Sequence, residues 1–241
     1  MNNLQIVIQA RMTSTRLPGK VMLPLCDKPV LQVMLERLEK WKEQIIIATT
    51  NDGSEEPIIE LCKTLKIKYF KGDTNDVLGR YYHACKAYNA TASTAVVRLT
   101  SDCPIIDPDL LEKVINTYMT NHYSMVNLGP HSGFPRGLDC CIFPFSLLEL
   151  THLNAKSYSD REHVTLGMPK FQNLTTYSIS ALEDLSQIRL TLDEPDDYKA
   201  IKAVYQIFDN QTAFTYEELI EALKSNPSLV DINKHVEQKS V

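Results

Sequence analysis

Several absences narrow the class of this sequence before any motif is considered. No apolar run among its 241 residues approaches the ~20 needed to cross a bilayer. The first apolar stretch, residues 4–8, is followed too soon by Arg11 for a secretory signal peptide. None of its six cysteines (Cys26, Cys62, Cys85, Cys103, Cys140 and Cys141) belongs to a C-x-x-C pair, so zinc-knuckle and thioredoxin-type readings fail. There is no H-E-x-x-H, no G-x-S-x-G and no Cys-His signature, and His83, His122, His131, His152 and His235 show no ligand spacing. Excess positive charge is missing too: 25 Lys plus Arg face 30 Asp plus Glu, a net of -5, which argues against a sequence-independent nucleic-acid binder. Together these absences predict a cytoplasmic protein with reduced, mostly buried thiols and with neither a membrane nor a nucleic acid as partner.

One absence is local. Residues 1–26 contain no Asp or Glu, yet they contain Arg11, Arg16 and Lys20. The acidic total therefore coexists with one acid-free basic segment at its start.

The length and an apolar fraction of 44% suit one large α/β domain. A chain of this size buries roughly 70% of its unfolded surface and needs no disulfide or metal staple. There is no internal repeat, low-complexity segment or separating linker. The expectation is a single domain over residues 1–225, followed by a polar tail, 226–241, that is loosely held.

In the first half, short apolar runs alternate with helical spacing. Residues 4–8, 44–49, 68–70 and 95–100 read as buried strands, and 30–41, 56–65 and 77–89 as helices. Such alternation implies parallel βαβ units. In the second half, 124–128, 138–143, 175–179 and 188–192 read as strands with irregular spacing, which suggests a mixed sheet or an extra hairpin layer. Residues 196–208 and 216–224 read as helices, the latter opened by a Thr215/Glu218 capping box. Adjacent Cys140 and Cys141 should face opposite ways on a strand.

Ligands of such sheets bind beyond the carboxyl ends of the strands. The loop after the first strand runs from Gln9 and Ala10 through Arg11, Ser14, Thr15 and Arg16 to Gly19-Lys20. It is neither a P-loop nor a G-x-G-x-x-G loop. It still has forked cationic donors, a mobile ammonium and hydroxyls, the parts that hold a polyphosphate. A solvated basic surface loop is the alternative. Thr100-Ser101-Asp102-Cys103-Pro104 follows the fourth strand, and Asp193 follows residues 188–192. Two carboxylates at strand ends could share one Mg²⁺ with triphosphate oxygens. For Asp193, capping of the next helix is an equal reading; Asp102 fits capping less well, because Asp107 stands nearer the following helix. Ser159 to Thr165 is a charged cluster, read either as a site or as a solvated helix start. Arg136-Gly137-Leu138-Asp139 is a turn feeding a strand.

These residues carry a resemblance. Ile8 to Met12 and Ser14 to Val21 look like the opening motif of the cytidylyltransferases that activate acidic sugars. The motif is similar to the Kdo cytidylyltransferase form and closer to the spore-coat polysaccharide biosynthesis protein F group. The likeness continues through Ala48-Thr49-Thr50, Phe70-Lys71-Gly72, Asp76 to Tyr82, Thr100 to Pro104, Gly137 to Asp139, Asp160 to Thr165 and Arg189 to Asp193, and so covers residues 4 to about 205. Two departures stand out. Thr100-Ser101-Asp102-Cys103-Pro104 replaces the Gln-Gly-Asp-Glu-Pro of the Kdo enzymes, and Thr13 replaces a glycine usual in the spore-coat group.

The resemblance implies a Rossmann-like nucleotide-diphospho-sugar transferase fold: a mixed, mainly parallel sheet, helices on both faces and a small hairpin dimerisation element. It implies CMP transfer from CTP to an acidic sugar with release of pyrophosphate, by a Mg²⁺-dependent homodimer. By the same match, Arg11, Arg16, Lys20 and Asp102 would be catalytic. Gln9, Ala10, Arg11, Ser14, Lys20, Ala48, Thr49, Gly72, Arg80 and Ser101 would hold the nucleotide. Arg136, Asp139, Arg161 and His163 would face the acceptor, and Asp102 and Asp193 would hold the metal. The rival readings are a nucleotidyltransferase acting on a sugar phosphate or phosphonate, a glycosyltransferase of the same general fold, and a non-catalytic nucleotide-binding subunit. The glycosyltransferase reading is disfavoured because Ser101-Asp102-Cys103 carries one carboxylate where an Asp-x-Asp motif would carry two.

Overall fold

The computed structural model describes residues 3–238. Strand β1 is Leu4–Gln9, a two-residue hairpin is formed by β2 (Pro24–Leu25) and β3 (Lys28–Pro29), and helix α1 is Val30–Arg37. Then come β4 (Ile45–Thr50), α2 (Glu56–Leu65), β5 (Lys68–Gly72), α3 (Val77–Ala87), β6 (Ala95–Thr100) and α4 (Pro108–Thr120). The second half adds β7 (Met125–Leu128), β8 (Cys140–Pro144), α5 (Phe145–Asn154), α6 (Tyr158–Glu162), α7 (Met168–Phe171), β9 (Thr176–Ser178), α8 (Pro195–Ile207), α9 (Tyr216–Ser225) and α10 (Ser228–Asp231).

One seven-stranded sheet runs in the order β5-β4-β1-β6-β8-β7-β9. Strands β5, β4, β1 and β6 are parallel, and β8 lies antiparallel to both β6 and β7. The mixed, mainly parallel sheet expected from the sequence is therefore present. The extra hairpin layer in the second half is not: β7, β8 and β9 extend the same sheet, and the separate hairpin lies in the first half at β2–β3.

The runs without alternation in the first half arise because both sheet faces are covered. Ile6 and Ile8 of β1 point to one apolar layer, with Ile45, Ile47, Val97 and Leu99. Val7 points to the other, with Ile46, Val96 and residues of α3, α5 and α7. Cys140 and Cys141 fall into opposite layers, as adjacent strand residues must. All six cysteines are free thiols, and all but Cys26 are buried.

Two elements differ from their sequence reading. The expected helix over 30–41 ends at Arg37, and a 3-10 segment, Glu39–Gln44, follows. The tighter turn lets both Leu38 and Trp41 enter the core. Residues 188–192 form no strand. They make one parallel bridge, Arg136 to Arg189, because their neighbours are loops rather than strands. The alternation is nonetheless real: Ile188, Leu190 and Leu192 are buried in the core, while Arg189, Thr191 and Asp193 point the other way. The chain beyond Ser225 is held closer than expected, since Asn233 is buried and donates to Arg189 O at 3.0 Å and to Asp197 Oδ1 at 2.9 Å.

The chain steps from β1 to β4 and β5 on one side, then returns to place β6 on the other side of β1. That reversal opens a crevice between the loops that leave Gln9 and Thr100, the position where such sheets hold ligands.

Candidate active site

A cavity of about 790 Å³ fills that crevice. The loop after β1 forms one wall. Met12 O accepts from Ser14 N at 3.1 Å and from Gly19 N at 2.8 Å, closing the loop on itself. Gly19 adopts φ +69°, the left-handed region, and so turns the chain into the short helix that begins at Lys20. Gln9, Ala10, Arg11, Ser14, Arg16 and Lys20 all line the cavity.

Lys20 lies at its floor and is 7% exposed. Its Nζ donates to Asp102 Oδ2 at 2.9 Å, to Asp193 Oδ1 at 2.9 Å and to Leu192 O at 2.8 Å. These three bonds use every donor an ammonium has. Burial pushes its pKa down, but the two carboxylates more than offset this and hold it above the usual lysine range. Burial likewise pushes Asp102 up, and Lys20 with the Thr100 hydroxyl draws it down to about 2. Both groups are thus charged at neutral pH.

Asp193 is gripped from three sides. Arg16 Nη2 lies 3.0 Å from Oδ2, Arg189 Nη2 3.1 Å from the same oxygen, and Lys20 holds Oδ1. Arg189 in turn forks onto Asp197, at 2.7 and 2.9 Å, and Asp197 is fully buried. Helix α8 is capped by Glu194 and Asp197, and Asp197 Oδ2 accepts from the backbone N of both Asp193 and Glu194. The capping reading of Asp193 is thereby excluded, and its carboxylate faces the cavity. Asp107 caps α4 through Leu110 N at 2.8 Å, which leaves Asp102 free of that duty.

Arg98, Arg136, Asp139, Glu162 and His163 also line the cavity, with Tyr158 and Leu166 exposed among them. Gly137 sets this wall. Its φ is +104°, and a Cβ there would lie 2.5 Å from Leu190 O, so only glycine lets the turn pack on residues 189–191. Gly137 N donates to Asp139 Oδ2 at 2.8 Å. Burial pushes the Asp139 carboxyl up, against the pull of that N–H and of Arg136 and Arg98.

Some expected site residues lie elsewhere. Arg161 is not at the cavity. It forks onto Asp76 at 2.9 and 2.5 Å and gives its remaining donors to His152 O, Ala155 O and His152 Nδ1. In this structure all five of its N–H groups are taken, and it ties α6 to the start of α3. Ala48 and Thr49 are fully buried inside β4, and neither lines the cavity. Gly72 does not line it either. Gly72 makes room for Arg80, whose Cγ would lie 2.9 Å from a Cβ at that position. Arg80 does reach the cavity, held by Asp73 O and Thr74 O at 2.6 and 2.8 Å.

Two important residues escaped the sequence reading. Arg98 lies on β6, lines the cavity and keeps a buried Nε without a partner. The sequence did carry a signal, a lone charge inside an apolar strand. Arg189 stood within the stretch that carries the resemblance, with no role assigned to it.

Among the described residues no group of three or more His, Cys, Asp and Glu is placed to hold a metal. Asp102 and Asp193 do converge on one cationic point, and two carboxylates are what a Mg²⁺ shared with phosphate oxygens takes from a protein. The donor set fits that ion. No helix among the described residues is long and apolar enough to cross a membrane.

Comparison with known proteins identifies the group to which this architecture belongs. The cytidylyltransferase family matches residues 5–225. An uncharacterized protein of Methanocaldococcus jannaschii is 36% identical over 97% of this chain and 96% of its own length. The spore coat polysaccharide biosynthesis protein SpsF of Bacillus subtilis is 30% identical over 94% of this chain and 96% of its own. A cytidylyltransferase from Leptospira borgpetersenii superposes with a TM-score of 0.89 at 33% identity, covering 99% of both chains. The chain belongs to the cytidylyltransferase family and is a CTP-dependent nucleotidyltransferase.

Proposed function

We propose that this cytidylyltransferase transfers CMP from CTP to an acidic sugar (Kdo-, sialic-, legionaminic- or pseudaminic-acid-like), with release of pyrophosphate, in the synthesis of a surface polysaccharide or glycan. The observation that carries the reading is the lining of the cavity. An acid-free basic loop faces two converging carboxylates, and the same cavity is lined by Arg136 and by Arg98, whose buried Nε has no hydrogen-bond partner.

In this reading Arg11, Ser14, Arg16 and Lys20 bind the triphosphate, with Gln9, Ala10, Arg80 and Ser101 along the nucleoside. Asp102 and Asp193 hold Mg²⁺, which when bound supplies charge stabilisation on the phosphate oxygens. Arg16 and Lys20 take up the negative charge that grows on the departing pyrophosphate. Arg136 and Arg98 bind the acceptor's carboxylate, replacing Arg161 in that role. Asp139 and His163 border the attacking hydroxyl and orient it. The acceptor hydroxyl then attacks the α-phosphorus in line and gives up its proton to water, the bond to the bridging oxygen breaks, and the pair of electrons leaves with pyrophosphate. Residues 1–225 act as one catalytic domain, and the working form is a cytoplasmic homodimer.

The decisive experiment is a matrix of CTP, UTP, GTP and ATP against acidic sugars, sugar phosphates and phosphonates, read by pyrophosphate release and mass spectrometry of the product. CMP attached to an acidic sugar is the expected outcome. Turnover only with a sugar phosphate or a phosphonate would replace the acceptor class while leaving the nucleotide half intact.

A further inference from the structure

Lys20 cannot hold its present partners and a triphosphate together. Its three donors are all used, on Asp102, Asp193 and Leu192 O, at 2.8 to 2.9 Å. To reach a phosphate oxygen it must release at least one of them. The point it occupies is also the point where the two proposed metal ligands meet, so ammonium and divalent cation compete for one place.

We infer that Lys20 is a positioning residue for the metal site: its ammonium stands at the meeting point of Asp102 and Asp193, holds both carboxylates ready, and keeps a divalent cation out until a triphosphate draws it away. The inference rests on the metal assignment under the proposed function.

The local charge supports the exchange. Lys20, Arg16 and Arg189 offer three positive charges to the four negative charges of Asp102, Asp193, Glu194 and Asp197. Once Lys20 turns to a phosphate, Asp102 and Asp193 lose the cation they share, and a divalent cation can take its place. Arg189 and Arg16 meanwhile keep the Asp193 carboxylate in place, and Thr191 Oγ1 and Leu192 N hold the Asp102 backbone carbonyl. Lys20 itself sits on the first turn after Gly19, in the loop that lines the cavity, so its flexible stem leads directly toward arriving phosphates. The consequence is an order of events: nucleotide frees the metal point, and metal alone enters poorly.

The test uses the full chain and Mn²⁺ alone as probe, titrated without nucleotide and followed by electron paramagnetic resonance. Lys20→Met should bind Mn²⁺ about tenfold or more tightly than the wild type, since an occluded site lowers apparent affinity by the fraction of time it is open. Lys20→Met/Asp102→Asn should lose that gain. A merely structural lysine predicts the opposite sign, because removing it would loosen both carboxylates and weaken binding. Lys20→Gln serves as a second variant, and circular dichroism of each confirms the fold. Equal or weaker Mn²⁺ binding by the folded Lys20 variants overturns the inference. A parallel titration with CTP separates the two layers. If Asp102→Asn holds Mn²⁺ in the nucleotide complex as well as the wild type does, the metal assignment itself falls. If it does not, and Lys20→Met gains nothing, only the role of Lys20 falls.

Discussion

Two groups of cavity residues solve opposite problems. The charges around Asp102 and Asp193 are paired: Lys20 with Asp102 and Asp193, Arg16 with Asp193 and Glu194, Arg189 with Asp193 and Asp197. In the second group, Arg98 keeps an orphaned buried Nε, and the Arg136 side chain makes no hydrogen bond or ion pair among the described residues. Arg11, on the basic loop, makes none either among the described residues. A ligand at the first group must exchange partners with side chains already satisfied, which selects for strong polyanions accompanied by a cation. A ligand at the second group must bring the missing partner, which selects for an anion of the right shape. The difference teaches that site residues can be ranked by what they lack as well as by what they touch.

The largest expected effect comes from breaking the paired group. Asp102→Ala should lower pyrophosphate release by about 10³-fold or more at saturating Mg²⁺, the scale seen when a single group stabilising transition-state charge is removed. Near-wild-type turnover would break the comparison outright. A neighbouring effect appears as stability. Arg189→Met leaves the fully buried Asp197 without its forked partner, and losing one member of a buried pair costs about 3–5 kcal/mol. Urea unfolding measures that loss, and a change below about 1 kcal/mol would mean that Asn233 and the backbone amides of Asp193 and Glu194 suffice to hold Asp197.

The two groups also differ in how legible they were in the sequence. The first half of the sheet and the basic loop were readable because buried parallel strands leave continuous apolar runs and because an acid-free stretch of 26 residues is conspicuous. Asp102 was readable from its place after a strand. Arg136, Asp139 and His163 entered only through the resemblance, because their meeting is set by tertiary contact, and Arg98 stood as a lone charge in an apolar strand with no role assigned. Arg136 reaches the site through one bridge to Arg189, and Gly137 through its close approach to Leu190. Tertiary contact also decides where Arg161 lies. Its Arg-Glu-His-Val-Thr string does border the cavity through Glu162 and His163, but on the short helix α6 Arg161 itself points away to Asp76.

A middle-sized effect sharpens the second group. Arg98→Gln and Arg136→Gln should each raise the KM for the acceptor by about 10- to 100-fold, the equivalent of one charge-assisted hydrogen bond, while the KM for CTP stays within about twofold. If the KM for CTP rises instead, the orphaned guanidiniums serve the nucleotide, and the division of the cavity moves.

The smallest effect is the most discriminating. Arg161 and Arg98 are both arginines near the same cavity, but one has its donors filled and the other does not. If partners decide roles, Arg161→Gln should leave the acceptor KM within about twofold and lower stability by about 1–3 kcal/mol, because Asp76 is about a quarter exposed and retains its bond from Gly79 N. Steady-state kinetics beside thermal melting separates the two quantities. An acceptor KM raised as far by Arg161→Gln as by Arg98→Gln would mean that Arg161 trades Asp76 for the substrate.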